Sequence, residues 1–337
     1  MVSILSRLVA ALGRFVGWPQ RRGRWVAGSA ADARGRLAIA PFVAPRRQFL
    51  LYVPRGYTRW RRNALIVLCH GCQQTPEDFA TGTRIAEFAD ARRALVLMPR
   101  QRTTANAWSC WNWFDPASAA GEGEAAIIAA MTCKVARRHP VDARRVVAAG
   151  MSAGGALAAI LGLRYASLYR AVVAHSGIAC GAAATPLGAK AVLRDGPQTD
   201  VVAIGRDARE HARRVPLLAI QGMADDVVAP RNATALCAQY LARAGFDCDG
   251  ETLPAASADR RVADEEKPLR IREWRDDGGL VARLVEIDGL GHAWSGGDAA
   301  LRFNAADAPD ALAMVGEFLR DVARPSATMR FWRRSGQ

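Results

Sequence analysis

The run Arg145-Val146-Val147-Ala148-Ala149-Gly150-Met151-Ser152-Ala153-Gly154-Gly155 places a serine between two glycines, after a β-rich stretch and before an Ala/Leu-rich one. Such a pattern makes a sharp strand-to-helix turn that forces the serine into a strained backbone and projects its Oγ from the carboxyl edge of a sheet. A serine hydroxyl is a weak nucleophile at neutral pH, so acyl transfer by Ser152 demands a base and a group that orients the base. On such a sheet both follow in chain order, acid then histidine, each in a turn after a strand. Pro216–Gln221 leads through Gly222 to Asp225 and Asp226, and Arg283–Ile287 leads through Gly289 and Gly291 to His292. Asp225 is preferred as the first acid beyond the Gly222 turn, with Asp226 its competitor.

The other four histidines have plainer readings. His139, in a polar turn, and His211, in a charged stretch, read as solvated. His175 reads as a hydrogen-bonded core residue at a strand end. His70, in His70-Gly71-Cys72-Gln73-Gln74, would shape a loop whose Cys72 amide, with that of Ala153, faces a developing oxyanion. That division leaves His292 as the base.

These residues need a scaffold, and the chain from Gln48 onward alternates short β-rich runs with helical stretches, the signature of a parallel sheet with crossover helices. The strand candidates are Phe49–Val53, Leu65–Cys69, Leu95–Met98, Arg145–Ala149, Ala171–Ala174, Pro216–Gln221 and Arg283–Ile287. Helical windows fall near 82–92, 123–138, 153–168, 231–244 and 308–322. Residues 270–287 read as a hairpin closed by an Asp-Gly turn. Segments 180–212 and 252–268 read as excursions over the carboxyl edge of the sheet.

The net charge of +14 over 337 residues would suggest a nucleic-acid partner, but its distribution argues against one. Thirteen arginines and one acid, Asp32, fall in residues 1–62, and four arginines with no acid fall in 324–337, so the body between is nearly neutral. Residues 2–16 space Ile4, Leu5, Leu8, Leu12 and Phe15 as a basic amphipathic helix, docked either on the body or on a membrane, granule or other apolar surface. Arg7 and Arg14 make that segment a poor secretory signal. Residues 19–47 read as a basic linker, giving three parts: an N-terminal helix and linker (1–47), a catalytic domain (48–323) and a basic tail (324–337). Seven cysteines include no pair of CxxC motifs at zinc-site spacing, so no metal site is expected.

Six segments in order, His70-Gly71-Cys72-Gln73-Gln74, Asn106 to Phe114, Gly121 to Glu124, Val141 to Val146, Gly150 to Gly155 and Gly289 to Gly297, resemble the polyhydroxybutyrate depolymerase family of esterases. The resemblance covers roughly residues 48–322. It implies an α/β-hydrolase fold, a mostly parallel sheet with helices on both faces, adjoining the feruloyl and acetylxylan esterases. It also implies Ser152, Asp225 and His292 as a triad that hydrolyses esters without metal or organic cofactor. Polyhydroxybutyrate or its oligomers are the expected substrate, with feruloyl or acetylxylan-type esters as the alternative. A serine peptidase or a non-catalytic surface-binding protein ranks lower. Export is common among such relatives, so an extracellular or periplasmic site is slightly favoured despite the poor signal.

Gln221 departs from the resemblance, since many relatives carry histidine there, and this is expected to touch loop packing rather than the triad. Gln73, Trp108, Trp111, Trp113 and Trp294 are candidate groove residues, although alternate positions of an extended segment share a face and Trp111 or Trp113 equally suits the core. Cys110 and Cys72 are a candidate disulfide that would stiffen the oxyanion loop.

Overall fold

The computed structural model describes residues 23–31, 46–209, 213–263 and 266–324. The amphipathic helix expected over 2–16, the tail beyond Arg324 and His211 lie outside the described residues.

Ten strands build one sheet: β1 (Arg24–Ala31), β2 (Arg46–Val53), β3 (Asn63–Cys69), β4 (Ala94–Pro99), β5 (Val141–Met151), β6 (Ala171–His175), β7 (Leu217–Gly222), β8 (Ala258–Val262), β9 (Leu269–Asp276) and β10 (Gly279–Ile287). Their spatial order is β1-β2-β4-β3-β5-β6-β7-β10-β9-β8. The stretch from β4 to β10 is parallel, with antiparallel strands added on both margins. Parallel strands buried on both faces read as continuous apolar runs, and Leu65-Ile66-Val67-Leu68 is one. Leu65 and Val67 pack in the core on one side of the sheet, Ile66 and Leu68 in the core on the other.

Helices cover both faces: α1 (Pro76–Gly82), α2 (Ile85–Arg92), α3 (Pro116–Ala119), α4 (Gly123–Arg138), α5 (Ala153–Arg164), α6 (Pro186–Asp195), α7 (Val201–Asp207), α8 (Arg231–Ala244) and α9 (Ala311–Ala323). The buried apolar residues of α4, α5 and α8 join the core containing Leu65, and those of α1, α2 and α9 the opposite one. Among the described residues no helix is long and apolar enough to cross a membrane.

Several boundaries differ from the sequence reading. The window at 82–92 is two helices, α1 and α2, separated at Thr83 and Arg84, the latter at φ 55°. Part of the expected linker is β1, paired with β2 over eight residues. Ala258–Val262, expected in a surface excursion, is the opposite edge strand, β8. The 180–212 segment carries α6 and α7. The hairpin forms as expected, β9 pairing antiparallel with β10 across Asp277-Gly278.

Candidate active site

Ser152 stands between β5 and α5 with φ at 56°, a conformation that disfavours a side chain and is held here by its surroundings. The reason for its glycine neighbours is close approach. A Cβ on Gly150 would lie 2.3 Å from the Gly154 carbonyl oxygen, and one on Gly154 would lie 2.1 Å from the Cys69 carbonyl oxygen. Only backbone fits where β3, β5 and α5 meet. Ser152 donates its backbone N–H to the His175 carbonyl (2.9 Å), which fixes the turn to the next strand.

Asp225 and His292 arrive from the turns after β7 and β10. Backbone bonds join these turns, Met223 N to Ile287 O (2.9 Å) and Ala224 N to Leu290 O (3.0 Å). Gly222 permits that contact, since a Cβ there would be 2.2 Å from the Leu290 oxygen. His292 Nδ1 lies 2.8 Å from Asp225 Oδ2 and 3.1 Å from Oδ1. Oδ1 also accepts the amides of Val227 (3.0 Å) and Val228 (2.8 Å). Burial alone would raise the Asp225 carboxyl, but bonding to His292, its charge, the Val228 amide and the Ser176 hydroxyl outweigh it and hold the pKa below the ordinary value. Asp226 is exposed, which favours Asp225 of the two. No hydrogen bond joins Ser152 Oγ to His292 Nε2 in this state; such bonds commonly tighten only around bound substrate.

The loop after β3 is built from buried polar contacts. The His70 ring spans from the Gly71 carbonyl at Nδ1 (2.8 Å) to the Gln101 amide at Nε2 (3.3 Å), and burial pushes its pKa down to about 4. Gln74 Oε1 accepts the Gly71 amide (2.8 Å). Cys72 and Cys110 form a disulfide. Among the described residues no backbone carbonyl takes the Cys72 or Ala153 amide, so both are available to an oxyanion. The Gly121 to Glu124 segment and the tryptophan-bearing loop meet here, with buried Glu124 accepting the Asn112 amide (2.7 Å) and the Gln101 side-chain amide.

Of the candidate groove residues, Gln73 and Trp108 are exposed, Gln73 N donating to Trp108 O (2.8 Å). Trp111, Trp113 and Trp294 are buried, a correction to their reading as a groove wall. Trp111 donates from Nε1 to the His70 carbonyl (3.0 Å), and Trp294 stacks on His175 with ring centroids 5.2 Å apart. They brace the loops from beneath because their large apolar surface outweighs one indole N–H.

His175 is buried as expected, its Nε2 accepting the Ser295 amide (3.2 Å), and burial pushes its pKa down to about 3. His139 is half-buried against the Tyr57 hydroxyl (3.0 Å), not solvated as expected, and burial lowers its pKa. Ser176 escaped the sequence reading, and Gln221 was expected to touch loop packing rather than the triad. Gln221 Nε2 donates to Gly222 O (3.0 Å), Val228 O (3.0 Å) and, longer, to Asp225 Oδ2 (3.4 Å), so this position touches the acid itself. Its signals in the sequence were its departure from the family resemblance and its place at a strand end next to the turn that bears Asp225.

A family model described as esterase PHB depolymerase matches residues 47–264. The chain is 32% identical over 190 residues to feruloyl esterase B of Neurospora crassa, covering 52% of this chain and 64% of that protein. It is 28% identical over 207 residues to poly(3-hydroxyalkanoate) depolymerase C of Paucimonas lemoignei, covering 59% of this chain and 49% of that one. The alignments therefore span about half to just under two thirds of these relatives. Among solved structures, an acetyl xylan esterase from Aspergillus awamori superposes with a TM-score of 0.64 over 79% of this chain and 94% of its own, at 17% identity, a likeness of fold. With its α/β-hydrolase sheet and the family match over most of its length, the chain belongs to the esterase PHB depolymerase family.

Proposed function

We propose that this protein is a carboxylic ester hydrolase working through Ser152, Asp225 and His292. The observation that carries this is the Asp225–His292 pair, its carboxylate buried, presented at the same sheet edge as a serine held at positive φ on a strand-to-helix turn. Asp225 fixes the imidazole with Nδ1 protonated, leaving Nε2 to take the Ser152 proton as Oγ attacks the ester carbonyl. The Cys72 and Ala153 amides receive the oxyanion, and Ala153 opens α5, whose N-terminus adds favourable charge. His292 then protonates the departing alcohol, and water repeats the sequence to release the acid.

For substrate we propose polyhydroxybutyrate or its oligomers. Trp108, Met223 and Val227 are exposed apolar side chains on loops at the same carboxyl edge, and Leu187 is exposed in the first turn of α6, which supports contact with an apolar ester surface. Feruloyl or acetylxylan-type esters are the second reading, favoured by the similarity to feruloyl esterase B and by the exposed Trp108 ring. The catalytic part is 48–323 together with the β1 edge strand, and the basic N-terminal residues serve adsorption to a surface.

A fluorophosphonate probe read by intact mass is expected to label wild type once and Ser152→Ala not at all. Labelling of the alanine variant, or none of wild type, would overturn the assignment. Rates on 3-hydroxybutyrate oligomers, nitrophenyl esters of rising length and methyl ferulate then rank the substrates.

A further inference from the structure

We infer that a basic groove beside the oxyanion loop binds the free carboxylate of an oligomeric ester whose scissile bond lies at Ser152; this rests on the esterase reading above. The groove, 560 Å³ in volume, opens where β1, β2 and the end of β4 meet, and Arg46, Arg47, Arg100 and Arg102 line it with Gln101 and Thr103. β2 runs antiparallel to β4, so its start lies at the carboxyl edge, the edge that carries Ser152.

Charge in the groove is only half neutralised. Glu124 pairs with Arg47 (3.6 Å) and Glu77 with Arg100. Arg46 and Arg102 enter none of the ion pairs among the described residues: Arg46 donates to the Ser29 hydroxyl (3.0 Å) and Arg102 to the Arg46 carbonyl (2.7 Å). Burial and then, against the pull of Glu124, the nearby Arg102 lower the Arg47 guanidinium, which marks the crowding. Guanidinium groups gathered this closely repel one another until an anion joins them, and their planar forks match a carboxylate.

The groove is tied to the reacting centre. Gln101, between Arg100 and Arg102, gives its backbone N–H to His70 Nε2 (3.3 Å) and its side-chain amide to the carbonyl of Cys110 (2.9 Å), whose disulfide holds Cys72. In the sheet, β4 is two strands from β5 and β2 three, so strand spacing alone puts the groove about 10 Å from Ser152 at Arg100–Arg102 and about 14 Å at Arg46 and Arg47. That is the reach of a short oligomer rather than of one acyl group. A chain of ester-linked hydroxy acids is neutral along its length and carries one carboxylate, at its acid end. Binding there would direct hydrolysis to esters near that end.

The test is steady-state kinetics of the full chain on a 3-hydroxybutyrate trimer as free acid and as its methyl ester, with 4-nitrophenyl butyrate as a third substrate. Wild type is expected to favour the free acid in kcat/KM by about tenfold, as charge-assisted bonds to two guanidinium groups would give, less so at high salt. The Arg46→Gln/Arg102→Gln variant is expected to bring that ratio toward one through KM for the acid. An acid-to-ester ratio near one in wild type, or one unchanged in the variant, overturns the inference. Turnover of 4-nitrophenyl butyrate with neither trimer cleaved overturns it while leaving the esterase reading intact; no turnover of any of the three overturns both.

Discussion

Asp225 Oδ2 lies 2.8 Å from Nδ1 of His292, although 67 residues separate the two in sequence. Three features make the contact: β7 and β10 are adjacent and parallel, their turns share backbone bonds, and Val227 and Val228 hold the second carboxylate oxygen. The Asp225 carboxylate is thus fixed in place, as the proposed orienting of His292 as a base requires.

Asp225→Asn is expected to lower kcat by roughly 10³- to 10⁴-fold with little change in KM, because the amide favours the wrong imidazole tautomer. Asp226→Asn, on an exposed side chain, is expected to stay near wild type. Kinetics of both variants on one soluble ester decide the matter, and the reverse ranking would make Asp226 the acid.

His70 and His175 predict acid sensitivity of the fold. Their folded pKa values, about 4 and about 3, lie below the unfolded value near 6.5, so the unfolded chain binds the extra protons. Stability is therefore intact above pH 6.5 and falls as pH drops toward 4, by roughly 1.4 kcal/mol per unit for each ring. The lowered Asp225 carboxyl acts in the same direction in a more acidic window, losing its contribution as pH falls through its depressed value. Urea midpoints between pH 7 and 5 should show the slope, and His175→Gln should reduce it; an unaltered slope in that variant would remove His175 from the account.

The constellation was legible because each member sits on a strand-end turn, and strand ends are what apolar runs mark most clearly. The two edge strands were not. Gly28, Ser29 and Ala30 of β1 carry no β-branched side chain, and four of the five β8 residues are exposed, so neither alternates in the way a half-buried strand does. Trp111 and Trp113 share a face, as alternate residues of an extended segment do, but sequence could not say whether that face met substrate or core. Ser176 was invisible, and Gln221 was noticed but read as loop packing, for a related reason: their contacts to Asp225 are ones that only the sheet order creates.

Trp108 and Trp111, three residues apart, should separate sharply. Trp111→Ala removes a side chain only 1% exposed and strands the His70 carbonyl, so it is expected to cost about 3–5 kcal/mol and lower Tm. Trp108 is 62% exposed, so Trp108→Ala should leave Tm nearly unchanged while raising KM for aryl or polymeric esters more than for a short acyl ester. Equal Tm losses in the two variants would contradict this assignment of faces.

Truncation distinguishes the basic N-terminal residues from the sheet. β1 pairs with β2 along eight residues, Gly28 lies on the Phe49 ring with no room for a Cβ, and the Lys134 ammonium bonds the Ser29 carbonyl. Removing residues 1–31 should therefore bare the β2 edge and part of the core, lowering Tm by several degrees. Removing only 1–22 leaves these contacts, so turnover of a soluble ester should stay within about twofold of wild type while salt-sensitive adsorption to a polymer film weakens. Thermal melts and adsorption isotherms of both truncations test this directly: a large Tm loss on removing 1–22 would assign those residues to the folded body, and unchanged adsorption would remove their proposed surface role.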